Sequence, residues 1–302
     1  MLPSRLKKGD FIGVVSPSGA ITKETQLDKG IQFLRKLGFK IIVGRNVLKN
    51  KHGSAGTAEE RAEDINTMFA NKNVKGIICS QGGHTANACL PFLDWKLIRK
   101  NPKVFLGISD ITVLLNAIYA KTGLITFHGN DVMWGFGRNP TRYDIEEFKD
   151  RLIGGKIGKV KKNSVWKTVR KGVGTGKLLG GNLNCILKLA GTPYFPDFSN
   201  AILFLEAYRP TIEECEHHIN QLKQIGVFEK IKGILVGHID GMEEGKIKME
   251  DLLLENTKEY GFPILKCHDF GHNCPNTTLP VGVKVRLDST KRELEILEKC
   301  VK

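Results

Sequence analysis

Short apolar runs alternate with amphipathic stretches along the first half of the chain. Phe11-Ile12-Gly13-Val14-Val15 reads as a buried strand that ends at the turn signal Ser16-Pro17-Ser18-Gly19. Leu27, Ile31, Leu34 and Leu37 then recur at helical spacing, and Gly38 stops that helix. Lys40-Ile41-Ile42-Val43 is a second strand. Thr57-Ala58-Glu59-Glu60 spells a capping box, with the glutamate three residues after the threonine, and opens a helix through Ile65, Met68 and Phe69. Residues 76–79, 104–106 and 124–128 supply three further strands. Strands that alternate with helices predict a mostly parallel sheet covered on both faces, a three-layer α/β domain. Ligands of such sheets sit beyond the carboxyl ends of the strands. Ser16, Gly82-Gly83, Ser109 and His128-Gly129 all follow strand ends, so one rim could hold them all.

The pattern changes between residues 154 and 176, which are rich in Lys, Gly and Val and show little helical periodicity. This stretch reads as a linker or mobile loop between an N-terminal domain over 1–153 and a C-terminal domain over 177–302. Strands resume over 201–205 and 233–237, with a helix near 212–225 between them. The alternating stretches 283–287 and 293–296, joined by Asp288-Ser289-Thr290-Lys291, predict a β-hairpin. The second domain is therefore expected to be a smaller mixed α/β unit.

Composition narrows the class. The chain has 302 residues, 41% hydrophobic and 26% charged, which suits two folded domains and argues against disorder. No apolar run is long enough to span a bilayer and the N-terminus lacks the long apolar segment of a secretory signal, so a cytoplasmic protein with no membrane partner is expected. Seven scattered cysteines fit reduced thiols. The formal net charge of +14 raises nucleic-acid binding. The lysines, however, are spread along the chain, and the densest cluster, between Lys156 and Lys171, has only Trp166 as an aromatic. No groove- or strand-reading motif is present. The reading is no nucleic-acid partner, with an anionic small substrate or solubility accounting for the charge.

Three segments carry candidate chemistry. Gly107-Ile108-Ser109-Asp110-Ile111-Thr112 lies between the apolar run Val104-Phe105-Leu106 and an apolar helical stretch. Strand, sharp turn and helix expose a serine hydroxyl, although serine and aspartate equally suit a plain helix start. Glycine before the serine suits the tight bend. Glu206 ends the apolar run Leu203-Phe204-Leu205, where it acts as an orienting carboxylate or as a salt-bridge partner of Arg209. His272 stands in a turn-rich loop, Asp269 to Gly282. Serine needs a base to take its proton, histidine has the right pKa, and a carboxylate fixes the histidine's tautomer. Gly82-Gly83 before a helix leaves backbone N–H groups open to an anion, and with the Asp110 N–H would form an oxyanion hole.

Other motifs fail. Gly172-Val173-Gly174-Thr175-Gly176-Lys177-Leu178 lacks the glycine spacing and the magnesium-binding hydroxyl of a phosphate loop. Cys267, His268, Asp269, His272 and Cys274 match no common zinc pattern, and His217-His218 reads as helix surface. No metal and no cofactor is expected.

At this point the chain resembles the LD-carboxypeptidase and microcin C immunity group of serine peptidases, nearly end to end. The resemblance rests on Val14-Val15-Ser16-Pro17-Ser18-Gly19, Gly82-Gly83, Leu90-Pro91-Phe92-Leu93-Asp94, the segment from Pro102 to Thr112, Gly180-Gly181-Asn182-Leu183, Leu203-Phe204-Leu205-Glu206, and Gly271-His272 through Thr278-Leu279-Pro280-Val281-Gly282. It implies a Ser109–Glu206–His272 triad, an oxyanion hole near Gly83 and Asp110, a C-terminal domain closing over the site, no metal, and a homodimer. Two branches compete: trimming of muropeptides at an L–D bond, and cleavage of an amide between a C-terminal acidic residue and a nucleotide-like group. Gly82 to Asn87 and Ile125 to Gly129 look closer to the second. A small peptide or peptidyl-nucleotide is the substrate so implied. Trp166 then either stacks on the base or anchors the linker, and Asn182 is similar in position to a substrate-contacting asparagine. Ala207-Tyr208-Arg209-Pro210 departs from the family pattern, with only Arg209 retaining charge. A non-catalytic binding protein on the same fold is the alternative from a different class.

Overall fold

The computed structural model describes residues 1–302. Strands β1 (Phe11–Val15), β2 (Lys40–Val43), β3 (Val74–Cys79), β4 (Val104–Gly107) and β5 (Thr126–His128) form a parallel array in the order β5-β4-β3-β1-β2. Helices Glu24–Lys36, Ala58–Ala70 and Thr112–Thr122 fall between them in sequence, and the one at Ala58 opens on the Thr57–Glu60 capping box.

Residues 154–176 are not a linker. They hold β6 (Gly158–Lys159), β7 (Lys167–Arg170) and the start of β8 (Val173–Asn182). With β9 (Ala201–Tyr208), β10 (Gly233–Asp240), β11 (Ile264–Lys266), β12 (Leu279–Val281), β13 (Lys284–Asp288) and β14 (Glu293–Ile296) the chain has fourteen strands. All of these except β12 build a mixed second sheet in the order β6-β14-β13-β8-β9-β10-β11-β7, which has more strands than the first. The early part of β8 hides its period because glycine occupies the inward positions. A Cβ on Gly174 would lie 1.9 Å from the Lys232 carbonyl oxygen, and one on Gly176 would lie 1.9 Å from that of Asn200. Close backbone contact, not apolar side chains, buries this strand, so hydrophobic periodicity is silent there.

The two halves are stitched together. β12 leaves the C-terminal half and pairs antiparallel with β5 at the edge of the first sheet. Helix Thr112–Thr122 is buried almost all round, as its unbroken apolar sequence requires. Its Asn116 side chain donates to the Gly180 carbonyl and accepts from the Gly180 N–H, fastening it to β8. One contiguous core of 84 buried residues runs through both halves. No helix is long and apolar enough to cross a membrane.

Candidate active site

Ser109 stands two residues beyond β4, on a short 3-10 turn (Ser109–Ile111) that leads into helix Thr112–Thr122. Its φ is +64°, left-handed for a residue with a Cβ. That conformation costs about 1–2 kcal/mol and is the strained strand-to-helix elbow that presents a serine hydroxyl. The serine itself makes the bend. Gly107 serves a different need, because a Cβ there would sit 2.7 Å from Ile111 Cγ2.

The Gly82-Gly83 turn lies against this elbow. A Cβ on Gly82 would fall 2.8 Å from Ser109 Oγ and 3.2 Å from the Asp110 nitrogen. Gly83 has φ +149°, and a Cβ there would be 2.4 Å from the Gly19 nitrogen, so only glycine allows the two backbones to approach. The Asp110 carboxylate points away from the cavity into the protein. It accepts from Ser18 Oγ (2.6 Å), the Ala86 N–H (2.8 Å) and the Lys188 ammonium. Burial alone would raise this carboxyl, but hydrogen bonding and attraction from Lys188 bring it below the usual range. Asp110 thereby ties the elbow, the Ser18 turn and the segment after Gly83 into one rigid block.

Glu206 stands two residues before the end of β9 and is fully enclosed. His272 Nδ1 donates to its Oε2 at 2.7 Å, which leaves Nε2 as the acceptor of the ring. Burial works to raise the Glu206 carboxyl, yet the charge of His272 and the pull of His272 and His128 outweigh it, holding it well below the usual range. Burial works to lower His272, and Glu206, aided by Asp131 and Asp240, raises it above an ordinary histidine. His128 Nε2 stands 3.9 Å from Glu206 Oε1, and neither His128 nitrogen nor that oxygen has a hydrogen-bond partner. The His128 ring is held edge-on by Phe204 and Phe270.

A cavity of about 840 Å³ opens between the halves, lined among others by Gly83, Ser109, Trp134, Arg138, Tyr208 and His272. The predicted Ser109, His272 and Gly83 thus all line one cavity, with Glu206 bonded to His272 from behind and Asp110 directly after Ser109. Three predicted residues do not reach it. Trp166 is 3% exposed and donates its indole N–H to Asp269 Oδ2 at 2.6 Å, so it anchors the 154–176 segment and has no free face to stack on a base. Asn182 caps the helix Leu183–Leu187, its side-chain oxygen accepting from the Cys185 N–H at 3.3 Å. Arg209 points outward, its side chain 69% exposed and 3.4 Å from Asp240 Oδ2, which leaves Glu206 to pair with histidine instead.

The structure adds groups that sequence reasoning missed. Trp134 is 41% exposed on the cavity wall and donates to Gln81 Oε1 at 3.0 Å. Arg138 Nη1 donates to Asn273 Oδ1 at 2.9 Å, which holds a guanidinium beside the His272 loop. The Tyr208 ring lies 4.8 Å from that of His272. Asp131 is buried under Trp134, and burial pushes its carboxyl up to about 6, against backbone N–H bonds from Gly135 and Trp134. The usable signal was position: 130–138 follow the carboxyl end of β5. Lys188 left no local signal at all.

Fold and cavity together define a two-sheet α/β protein with a ligand-sized cleft between its halves. Residues 12–129 match the LD-carboxypeptidase N-terminal domain and residues 175–287 the LD-carboxypeptidase C-terminal domain. The chain belongs to the LD-carboxypeptidase family of peptidases (family S66). It is 32% identical to the microcin C7 self-immunity protein MccF of Escherichia coli, over 99% of this chain and 96% of that one. It is 31% identical to a probable murein peptide carboxypeptidase of Bacillus subtilis, over 96% and 92%. The solved structure of MccF in complex with glutamyl sulfamoyl guanosine superposes with a TM-score of 0.93 at 31% identity, covering 100% of this chain and 99% of that one.

Proposed function

We propose that the chain is a serine peptidase that cleaves an amide bond through an acyl-enzyme. The observation that carries this reading is the His272–Glu206 pair at 2.7 Å, set in the cavity that also holds the strained Ser109. His272 Nε2 takes the Ser109 proton as Oγ attacks the scissile carbonyl carbon. The Gly83 and Asp110 N–H groups receive the developing oxyanion. The imidazolium, steadied by Glu206, returns its proton to the leaving amine. Water then attacks the ester, His272 again accepting a proton, and the acid is released with Ser109 restored.

The substrate reading is an acidic residue amide-linked to a nucleotide-like group. Trp134 offers a partly exposed indole in the cavity for a base, and Arg138 is the cation placed to meet a carboxylate. The MccF complex with glutamyl sulfamoyl guanosine supports it by analogy. The second reading, muropeptide trimming, is favoured by the identity to the murein peptide carboxypeptidase. The test compares wild type and Ser109→Ala on an aspartyl-nucleotide amide and an L–D muropeptide. Hydrolysis of the nucleotide substrate should exceed that of the muropeptide, and Ser109→Ala should lose at least about a thousandfold while keeping its fold. Near-native turnover by the variant refutes the nucleophile, and muropeptide preference refutes the branch.

A further inference from the structure

Behind the His272 loop lies a second cluster that the hydrolytic reading does not use. His238 is near the end of β10, Glu243 is in the turn that follows it, and His268 is just past β11. His238 Nδ1 lies 3.2 Å from His268 Nδ1, and both lie 3.6 Å from Glu243 Oε1. The nearest equidistant point lies in the plane of these three atoms, about 2.0 Å from each, and an ion raised ~0.6 Å toward a fourth ligand would be about 2.1 Å from each, the length of a Zn–N or Zn–O bond. Tetrahedral ligands at that bond length stand ~3.3 Å apart, within the span observed.

We propose that His238, His268 and Glu243 form a binding site for a first-row divalent metal of the zinc type, separate from the hydrolytic cavity. Two imidazoles and one carboxylate are the donor set of an open zinc site, and His268, with its side chain 40% exposed, leaves the fourth position to solvent. The neighbourhood is built to hold the carboxylate. Glu243 Oε1 accepts from the Ile239 N–H at 2.7 Å and from Lys266 Nζ, which also donates to the Gly237 carbonyl. On metal entry the hydrogen bond between the two Nδ1 atoms breaks. The ring that carried the shared proton moves it to Nε2, where for His238 the Asp240 carboxylate faces it at 4.0 Å. Lys266 is the one cation in contact with the site, so its charge opposes the metal and limits affinity.

The site sits where a metal would stiffen the hydrolytic loop. A Cβ on Gly271 would lie 3.3 Å from the His238 Cβ and 3.3 Å from the Glu206 Cβ, and the His238 N–H donates to the Phe270 carbonyl. A bound ion would join the end of β10, its following turn and the chain entering the His272 loop. The sequence hid this because its three ligands come from separate segments, and the adjacent Cys267 is buried.

The experiment is calorimetric titration of the chelator-treated full chain with Zn²⁺, with the visible spectrum of the Co²⁺ form as a geometric readout. One equivalent should bind, with a four-coordinate Co²⁺ spectrum. His268→Ala should weaken binding about a hundredfold or more, and Lys266→Met should tighten it. His217→Ala, at an exposed histidine of helix Ile212–Gln224 whose neighbour His218 is buried, should leave it unchanged. Binding that survives His268→Ala, or that is lost in His217→Ala, overturns the site. So does absence of stoichiometric binding in both wild type and Lys266→Met.

Discussion

Ser109 carries a left-handed backbone that its own side chain disfavours, and the surrounding contacts hold it there. His272 and Glu206 divide the electrostatics between them. Glu206 raises His272, and a base must be neutral to accept a proton. kcat/KM should therefore fall as pH drops, with an acid-limb midpoint above the ordinary histidine value of about 6.5. Glu206→Gln removes that attraction. Its midpoint should move below wild type, and the rate should fall by roughly 10²–10⁴, as for loss of an orienting carboxylate. A pH–rate profile of both proteins checks this, and an unshifted midpoint would contradict the pairing. His128→Phe removes the imidazole facing Glu206 Oε1 and should lower kcat while KM stays constant, measured by steady-state kinetics. Glu206 has a depressed carboxyl, so its contribution to stability is present above the unfolded carboxylate range and is lost as pH falls through the folded value.

At the scale of elements, glycine decides geometry where side chains cannot fit. Gly83→Ala would force a Cβ into the Gly19 nitrogen at a backbone angle that L side chains rarely adopt. The variant should lose activity and melt earlier, both visible in one preparation by assay and thermal denaturation. The capping box at Thr57 was legible because its signal is local. Thr57 accepts from the Glu60 N–H at 3.2 Å, and Thr57→Ala should cost about 1 kcal/mol in denaturant unfolding without changing kcat. The 154–176 segment was illegible for the opposite reason. Its strands are short, or are buried through glycine, and their partners lie far away in sequence. The apolar run after Ser109 reads correctly as a helix, but only the structure explains why it lacks a polar face: it is wedged at the seam and fastened to β8.

At the scale of the whole molecule the cavity opens between the two halves, with Ser109 on one and His272 and Glu206 on the other. Trp134 enters that cavity from the N-terminal half. Trp134→Ala should raise KM for an aspartyl-nucleotide amide and leave muropeptide KM unchanged, whereas Trp166→Ala, deep in the protein, should act through stability. The sequence by itself determined the alternating strands and helices, the hairpin at 284–296, and Ser109, Glu206 and His272 as the residues to watch. Each of these is written in local periodicity, turn chemistry or a short motif. Only the tertiary structure decided that Trp134 and not Trp166 faces the cavity, that Asn182 caps a helix, that Arg209 turns outward, and that Lys188 neutralises Asp110. Those outcomes depend on which distant backbones approach each other and which side chains they leave in water, and no window of sequence contains that distance.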